Sequence, residues 1–145
     1  MPTLHWLTRD KDLQTASSVR AMPQFLRTPA PTSCPWGDIK CAAEIAPGWW
    51  SVIAARHGGF VLSVERLAAI PLEHLSASLG GQGLFGYFEE DCDWSIVAVA
   101  FPEEWRTFVI DRLHEPDLVD VAPRMFEAWV VPRMGGAGTG ALCAP

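Results

Sequence analysis

The chain has 145 residues, of which 49% are hydrophobic and 19% are charged. This length fits one domain, and these fractions exclude a globally disordered chain. A net charge of −6 argues against a nucleic-acid-binding surface, which needs clustered Lys and Arg. No uncharged apolar stretch approaches the roughly 18 residues of a membrane span. We therefore expect neither nucleic acid nor membrane as a direct partner.

The two ends of the chain differ in composition from its middle. Residues 1–33 predict an N-terminal extension, with a short helix around Asp10–Ala21 and a Pro-punctuated linker at 28–35. Residues 132–145 are rich in Gly and Ala and predict a flexible tail. The folded domain is then expected at 34–131. Because no signal-peptide pattern is present, we expect a cytoplasmic protein with reduced cysteines.

Short aromatic and β-branched runs separated by turn residues predict antiparallel strands. Asp38–Ile45 is either a first strand or an amphipathic segment, whereas Trp49–Ala54 predicts a strand. Residues 49–63 together predict a β-hairpin with His57 at its tip, because Gly-Gly follows directly. Ser63 is expected to cap a short helix that follows.

Helical patterns dominate the second half of the chain. Leu79–Gly86 is too rich in glycine to predict a rigid element, and it lacks the Lys-Ser/Thr ending of a phosphate loop. The clearest helix is expected to begin at 91, capped by Asp91 or Asp93, and a second helix is expected at Glu103–His114. The predicted fold class is α+β: a small antiparallel sheet packed against two or three helices in a single domain.

Cys92 and His57 form a candidate catalytic pair. A thiol in the first turn of a helix lies near the positive end of the helix dipole, which favours the nucleophilic thiolate, whereas the neighbouring carboxylates oppose it. A strand histidine followed by a helix-start cysteine resembles the circularly permuted papain-like hydrolases and acyltransferases. That resemblance implies Cys92 as nucleophile and His57 as base. The alternative is a small buried cysteine and an exposed turn histidine without catalytic roles.

Metal and cofactor sites have no matching sequence pattern. Cys34, Cys41, His57 and Cys92 are suitable zinc ligands by residue type, but their spacing matches no finger or ribbon. The carboxylates at 89–93 lack the glycine-containing loop of a typical calcium site. We therefore expect no metal and no cofactor.

Residues 67–105 contain several Asp and Glu residues but no Lys or Arg. Such a stretch is either a solvated acidic face or a surface that attracts a basic partner. The predicted partner-binding residues are Glu89, Glu90, Asp91, Asp93, Glu103 and Glu104.

Several short motifs occur in a fixed order along the chain. They are Pro35-Trp36-Gly37, His57-Gly58-Gly59-Phe60, Glu89-Glu90-Asp91-Cys92 with Trp94, and Phe101-Pro102. This set resembles an uncharacterised domain-of-unknown-function family of bacterial plasmid, integrative-element and phage proteins. The resemblance spans about residues 34–105 and implies a genomic setting rather than an activity.

These observations favour a non-enzymatic, protein-binding factor of a mobile genetic element. We expect it to bind a host or element-encoded protein, and a basic surface on that partner would complement the acidic face. An acidic face can occupy a basic nucleic-acid channel, which would make the protein an anti-defence factor against a restriction or CRISPR nuclease. The alternative hypothesis is a cysteine hydrolase or acyltransferase with a Cys92–His57 dyad.

Overall fold

The computed structural model describes residues 24–135, which form a four-stranded antiparallel sheet covered by short helices. The helix expected around Asp10–Ala21 and most of the expected tail lie outside the described residues. The strands follow one another across the sheet in chain order. They are β1 (Ile39–Ala46), β2 (Trp49–Ala54), β3 (Gly58–Leu62) and β4 (Tyr87–Glu89). The prediction of an α+β domain with an antiparallel sheet is confirmed.

The described residues contain six α-helices, and two of them continue into π-helical turns. The helices are α1 (Val64–Leu67), α2 (Leu72–Ser76), α3 (Trp94–Ala100), α4 (Pro102–Thr107), α5 (Leu118–Met125) and α6 (Val131–Met134). The π-helical turns are Phe108–Arg112 after α4 and Phe126–Val130 after α5. None of the helices in residues 24–135 is long and apolar enough to cross a bilayer.

The central hairpin of the sheet is the one that the sequence predicts. Trp49 pairs with Leu62 and Ile53 pairs with Gly58, so the turn falls at residues 55–57 with His57 exposed. Ser63 ends the hairpin and caps α1, because its hydroxyl oxygen accepts a hydrogen bond from the Arg66 N–H at 3.2 Å.

Aromatic side chains fill the space between one face of the sheet and the helices. The Trp49 ring is fully buried and lies 5.4 Å from the Phe60 ring and 6.4 Å from the Trp105 ring, between centroids. Ile96 and Val97 of α3 are also fully buried in this core. The alternation along β2 and β3 therefore sends Trp49, Phe60 and Leu62 towards the helices.

The other face of the sheet is covered by the chain that precedes β1. Trp36 is almost completely buried there and packs with Val52 and Ala54. A Cβ atom at Gly59 would lie 2.7 Å from the Trp36 ring, so a glycine permits the close packing. Thr28 accepts a hydrogen bond from the Trp50 indole N–H at 3.2 Å. Residues before the expected domain start at 34 thus pack against the sheet.

Two local expectations differ from the structure. The helix expected to begin at 91 begins at Trp94, and Asp93 occupies the N-cap position without a capping side-chain hydrogen bond. Leu79–Phe85 is not simply irregular: it is 3₁₀-helical with a kink at Gly80 and Gly81, where φ is positive. The Asp93 carboxylate accepts a hydrogen bond from the Leu79 N–H at 2.7 Å instead of capping α3, and a local pattern does not contain a contact 14 residues away.

Candidate functional site at the β4 end of the sheet

The histidine-glycine motif and the acidic motif meet in space. Glu89 of β4 lies opposite Gly59 of β3, and the Glu90 N–H donates a hydrogen bond to the Gly58 carbonyl at 3.0 Å. A Cβ atom at Gly58 would lie 2.9 Å from a carboxylate oxygen of Glu90. These contacts place the exposed His57 at the same end of the sheet as the acidic residues.

Three consecutive acidic residues lie at this end of β4, and we call Glu89, Glu90 and Asp91 the β4 acidic group. Burial, then a hydrogen bond and charge repulsion from Asp91, raise the pKa of Glu89 to about 7, whereas the neighbouring His57 lowers it. Within residues 24–135, none of the three forms an ion pair with a Lys or Arg. The group therefore has no Lys or Arg counter-ion within residues 24–135, and burial beside Asp91 leaves Glu89 partly protonated near neutral pH.

Asp93 does not belong to this surface, although it was among the predicted partner-binding residues. Its side chain is fully buried, and its two oxygens accept hydrogen bonds from the Leu79 N–H and from Arg133, both at 2.7 Å. Burial raises the pKa of Asp93, while these two hydrogen bonds and the charge of Arg133 oppose that rise. Asp93 therefore joins α6 and the glycine-rich turn to the core.

Glu104 and Glu103 lie at the opposite end of the sheet from the β4 acidic group. The Glu104 carboxylate accepts two hydrogen bonds from the buried Arg66 guanidinium, at 2.7 and 2.8 Å. Arg66 also donates to the carbonyl of Pro47 in the β1–β2 turn, at the far end of β2 and β3 from Gly58. Four residue steps along β3 separate these ends by about 13 Å. The single acidic surface expected from the sequence is therefore divided.

Cys92 is buried and disulfide-bonded in the structure. Its sulfur lies 3.7 Å from Arg133 Nη1 and 3.8 Å from Asp93 Oδ1. The expectation of reduced cysteines thus holds for Cys34 and Cys41, which are free, but not for Cys92. A sulfur in a disulfide is not a nucleophile until it is reduced.

The predicted dyad partners have different surroundings. His57 is exposed and interacts electrostatically with Glu89, whereas the Cys92 sulfur faces the interior beside Arg133. Cys92 also precedes α3 instead of lying in its first turn, so the helix-start position on which the catalytic hypothesis depended is not realised.

Metal ligation finds no support in the described part of the chain. Residues 24–135 contain no group of three or more His, Cys, Asp or Glu side chains placed to hold a metal ion. The proximity of His57 to Glu89 is the feature that sequence reasoning missed. This proximity follows from the pairing of β3 with β4, because Gly59 lies opposite Glu89 and His57 precedes β3.

The fold and this site define a small α+β domain with an acidic sheet end. The chain belongs to the family described as Domain of unknown function (DUF7007), whose model matches residues 29–136. Searches of curated proteins and of solved structures gave no match to this chain. The family match begins before the expected domain start at 34 and ends after the expected end at 131.

Proposed function

We propose that this protein is a non-enzymatic protein-binding factor and that its β4 acidic group binds a positively charged surface of a partner. The observation that supports this is that Glu89 and Asp91 are close enough to share a hydrogen bond, and that neither they nor Glu90 form an ion pair with a Lys or Arg of residues 24–135. Mutual repulsion of the carboxylates is relieved when Arg or Lys side chains of a partner approach them.

We propose more specifically that the protein is a factor of a mobile genetic element and that its partner is a host or element-encoded protein. A nuclease of a restriction or CRISPR system is a suitable partner class, because its nucleic-acid channel is lined with basic side chains. Carboxylates at one end of a compact domain can occupy such a channel in place of phosphates. The family resemblance and the net charge of −6 support this form.

Charge reversal tests the proposal. The variant Glu90→Lys/Asp91→Lys changes two exposed or half-exposed side chains, so we expect it to fold and to lose its partner. The matched control is Asp120→Lys/Glu127→Lys, which changes the net charge equally at exposed positions of the helical side. Affinity purification from host cells, followed by quantitative mass spectrometry, measures the partner recovered with each variant.

The expected result is a partner that the wild type and the control recover and that the β4 variant loses. Equal recovery by all three proteins would exclude the β4 acidic group as the binding surface. Equal loss in both variants would also contradict the proposal, because it would show dependence on net charge alone.

A further inference from the structure

Exposed apolar side chains are concentrated on one region of the described domain. Val64 in α1 is 82% exposed, Leu72 in α2 is 69% exposed, and Phe85 in the 3₁₀ segment is 76% exposed. Leu84 beside Phe85 is also exposed. Single exposed apolar residues are ordinary, but large ones gathered on neighbouring elements mark interaction sites.

Backbone contacts join the elements that carry these residues. The Leu62 N–H donates a hydrogen bond to the Gly86 carbonyl at 3.0 Å. Val64 lies two residues after Leu62 and Phe85 directly precedes Gly86, so this bond brings their backbones close together. Leu26, which is 75% exposed, donates its backbone N–H to Glu65 of α1 at 2.7 Å. We call the surface formed by Leu26, Val64, Leu72, Leu84 and Phe85 the α1–α2 apolar face.

The charged side chains exposed on α1 and α2 are both acidic. Glu65 and Glu73 are exposed, whereas Arg66 between them in sequence is fully buried against Glu104. An apolar surface edged by carboxylates is complementary to apolar side chains accompanied by Lys or Arg. A second copy of the chain and an anionic lipid surface would both bring like charge to Glu65 and Glu73, which disfavours them as occupants.

We propose that the α1–α2 apolar face binds a positively charged amphipathic helix of a partner protein. Such a helix presents apolar side chains at i, i+3, i+4 and i+7, and these anchor on a surface of exposed Val, Leu and Phe. Its basic residues then pair with Glu65 and Glu73. This site is separate from the β4 acidic group, because Phe85 precedes β4 and Glu89 ends it. The proposal does not depend on the function proposed above.

Two designed peptides test the site on the full chain. The first is a fluorescein-labelled Leu–Lys peptide of about 18 residues, long enough for about five helical turns, with leucines at amphipathic spacing. The second has Glu at every Lys position. Fluorescence anisotropy at about 0.15 M salt measures their affinity, since that salt concentration screens distant charges. We expect the Leu–Lys peptide to bind at least about tenfold more tightly than the Leu–Glu peptide.

Variants locate the bound peptide. Val64→Ser/Phe85→Ser removes two apolar side chains that are already exposed, so we expect the fold to remain and the affinity to fall at least about tenfold. The matched control is Ile53→Thr, which makes a half-exposed apolar residue polar at the opposite end of the sheet and should leave affinity unchanged. Circular dichroism checks that each variant is folded.

Three results would overturn the proposal. The first is unchanged affinity in Val64→Ser/Phe85→Ser. The second is binding that only Glu90→Lys/Asp91→Lys weakens, which would place the basic peptide on the β4 acidic group and support the function proposed above instead. The third is self-association of the wild type, detected by sedimentation velocity and abolished by Val64→Ser/Phe85→Ser, which would make a second copy the occupant.

Discussion

At the scale of single residues, the structure separates carboxylates that carry the same charge but have different roles. Asp93 forms an ion pair with Arg133, and Glu104 forms an ion pair with Arg66. Glu89 instead lies beside Asp91 and keeps a raised pKa. The paired carboxylates are held by ion pairs within the domain, whereas Glu89 has no Lys or Arg counter-ion among residues 24–135.

The raised pKa of Glu89 makes stability depend on pH. Its folded pKa of about 7 exceeds the ordinary value of 4.5, so the folded state binds the proton more tightly than the unfolded chain does. The free energy of unfolding contributed by Glu89 is therefore greatest below about pH 4.5 and decreases as the pH rises through about 7. We expect Glu89→Gln to raise the unfolding free energy at pH 8 relative to the wild type, and to change it little at pH 5.

Urea denaturation at pH 5 and pH 8 measures this difference. The control is Glu73→Gln, which changes an exposed carboxylate away from the β4 acidic group and should behave alike at both pH values. A side-chain carboxyl resonance of Glu89 that titrates near 4.5 by NMR would contradict the assignment.

Removing one partner of the Arg66–Glu104 ion pair should destabilise the fold more than removing both. Arg66 is fully buried, flanked by the rings of Phe25 and Phe101, and hydrogen-bonded through its guanidinium to Pro47 and Glu104. Glu104→Gln leaves a buried guanidinium without its counter-charge, and we expect a loss of about 3 kcal/mol in unfolding free energy.

Arg66→Met/Glu104→Gln is the variant that tests this explanation, because it removes the buried charge together with its partner. We expect the double variant to be more stable than Glu104→Gln in urea denaturation. If the double variant were less stable than the single one, the loss would arise from packing rather than from the uncompensated charge.

At the scale of elements, a glycine determines how closely the chain before β1 approaches the sheet. A Cβ atom at Gly59 would collide with the Trp36 ring and with the backbone of Phe88. Since neither can move without disturbing β4 or the packing of Trp36 on Val52 and Ala54, we expect Gly59→Ala to cost about 2–3 kcal/mol.

The stability loss of Gly80→Ala serves as the comparison for that of Gly59→Ala. Gly80 has a φ of +62°, but no atom lies within 4 Å of its Cβ position, so we expect only the cost of about 1–2 kcal/mol for a left-handed alanine. Chemical denaturation gives both values. A Gly59→Ala protein with the stability of the wild type would contradict the close packing.

At the scale of the whole molecule, residues 24–33 contribute to the domain. The Phe25 ring packs 4.2 Å from the Arg66 guanidinium and 5.6 Å from the Phe101 ring. Thr28 bonds to Trp50, and Arg27 forms an ion pair with Glu44 of β1. The fold boundary therefore precedes the proline-rich segment from which the sequence predicts a linker.

Truncation tests this boundary directly. A chain that begins at residue 34 loses the Phe25 and Thr28 contacts, and we expect it to unfold with about 2 kcal/mol less free energy than a chain that begins at residue 24. Thermal and urea denaturation of the two truncated chains measure the difference. Identical unfolding curves would show that residues 24–33 add nothing to the stability of the fold.

The sequence predicts the elements whose signals are local. Ser63 predicts the start of α1, and Pro102 fits the first turn of α4. Both signals act within a few residues, through a capping hydrogen bond or a fixed φ. The hairpin lies where the sequence predicts it, but Gly58 and Gly59 belong to β3 and have no positive φ, so the expected reason for the turn was wrong. The candidate site was predicted only in part, since Glu89, Glu90 and Asp91 were identified but their proximity to His57 was not.

Taken by itself, the sequence determined the fold class, the central hairpin and the acidic character of residues 67–105. Only the tertiary structure decided which acidic residues form a surface. Arg66 reaches Glu104 across 38 residues, and Arg133 reaches Asp93 across 40. The physical reason is that burial and long-range ion pairing depend on how strands and helices pack, whereas composition records the charge alone. Within this acidic stretch, Asp93 and Glu104 are therefore bound to arginines, whereas the β4 acidic group lies at the surface.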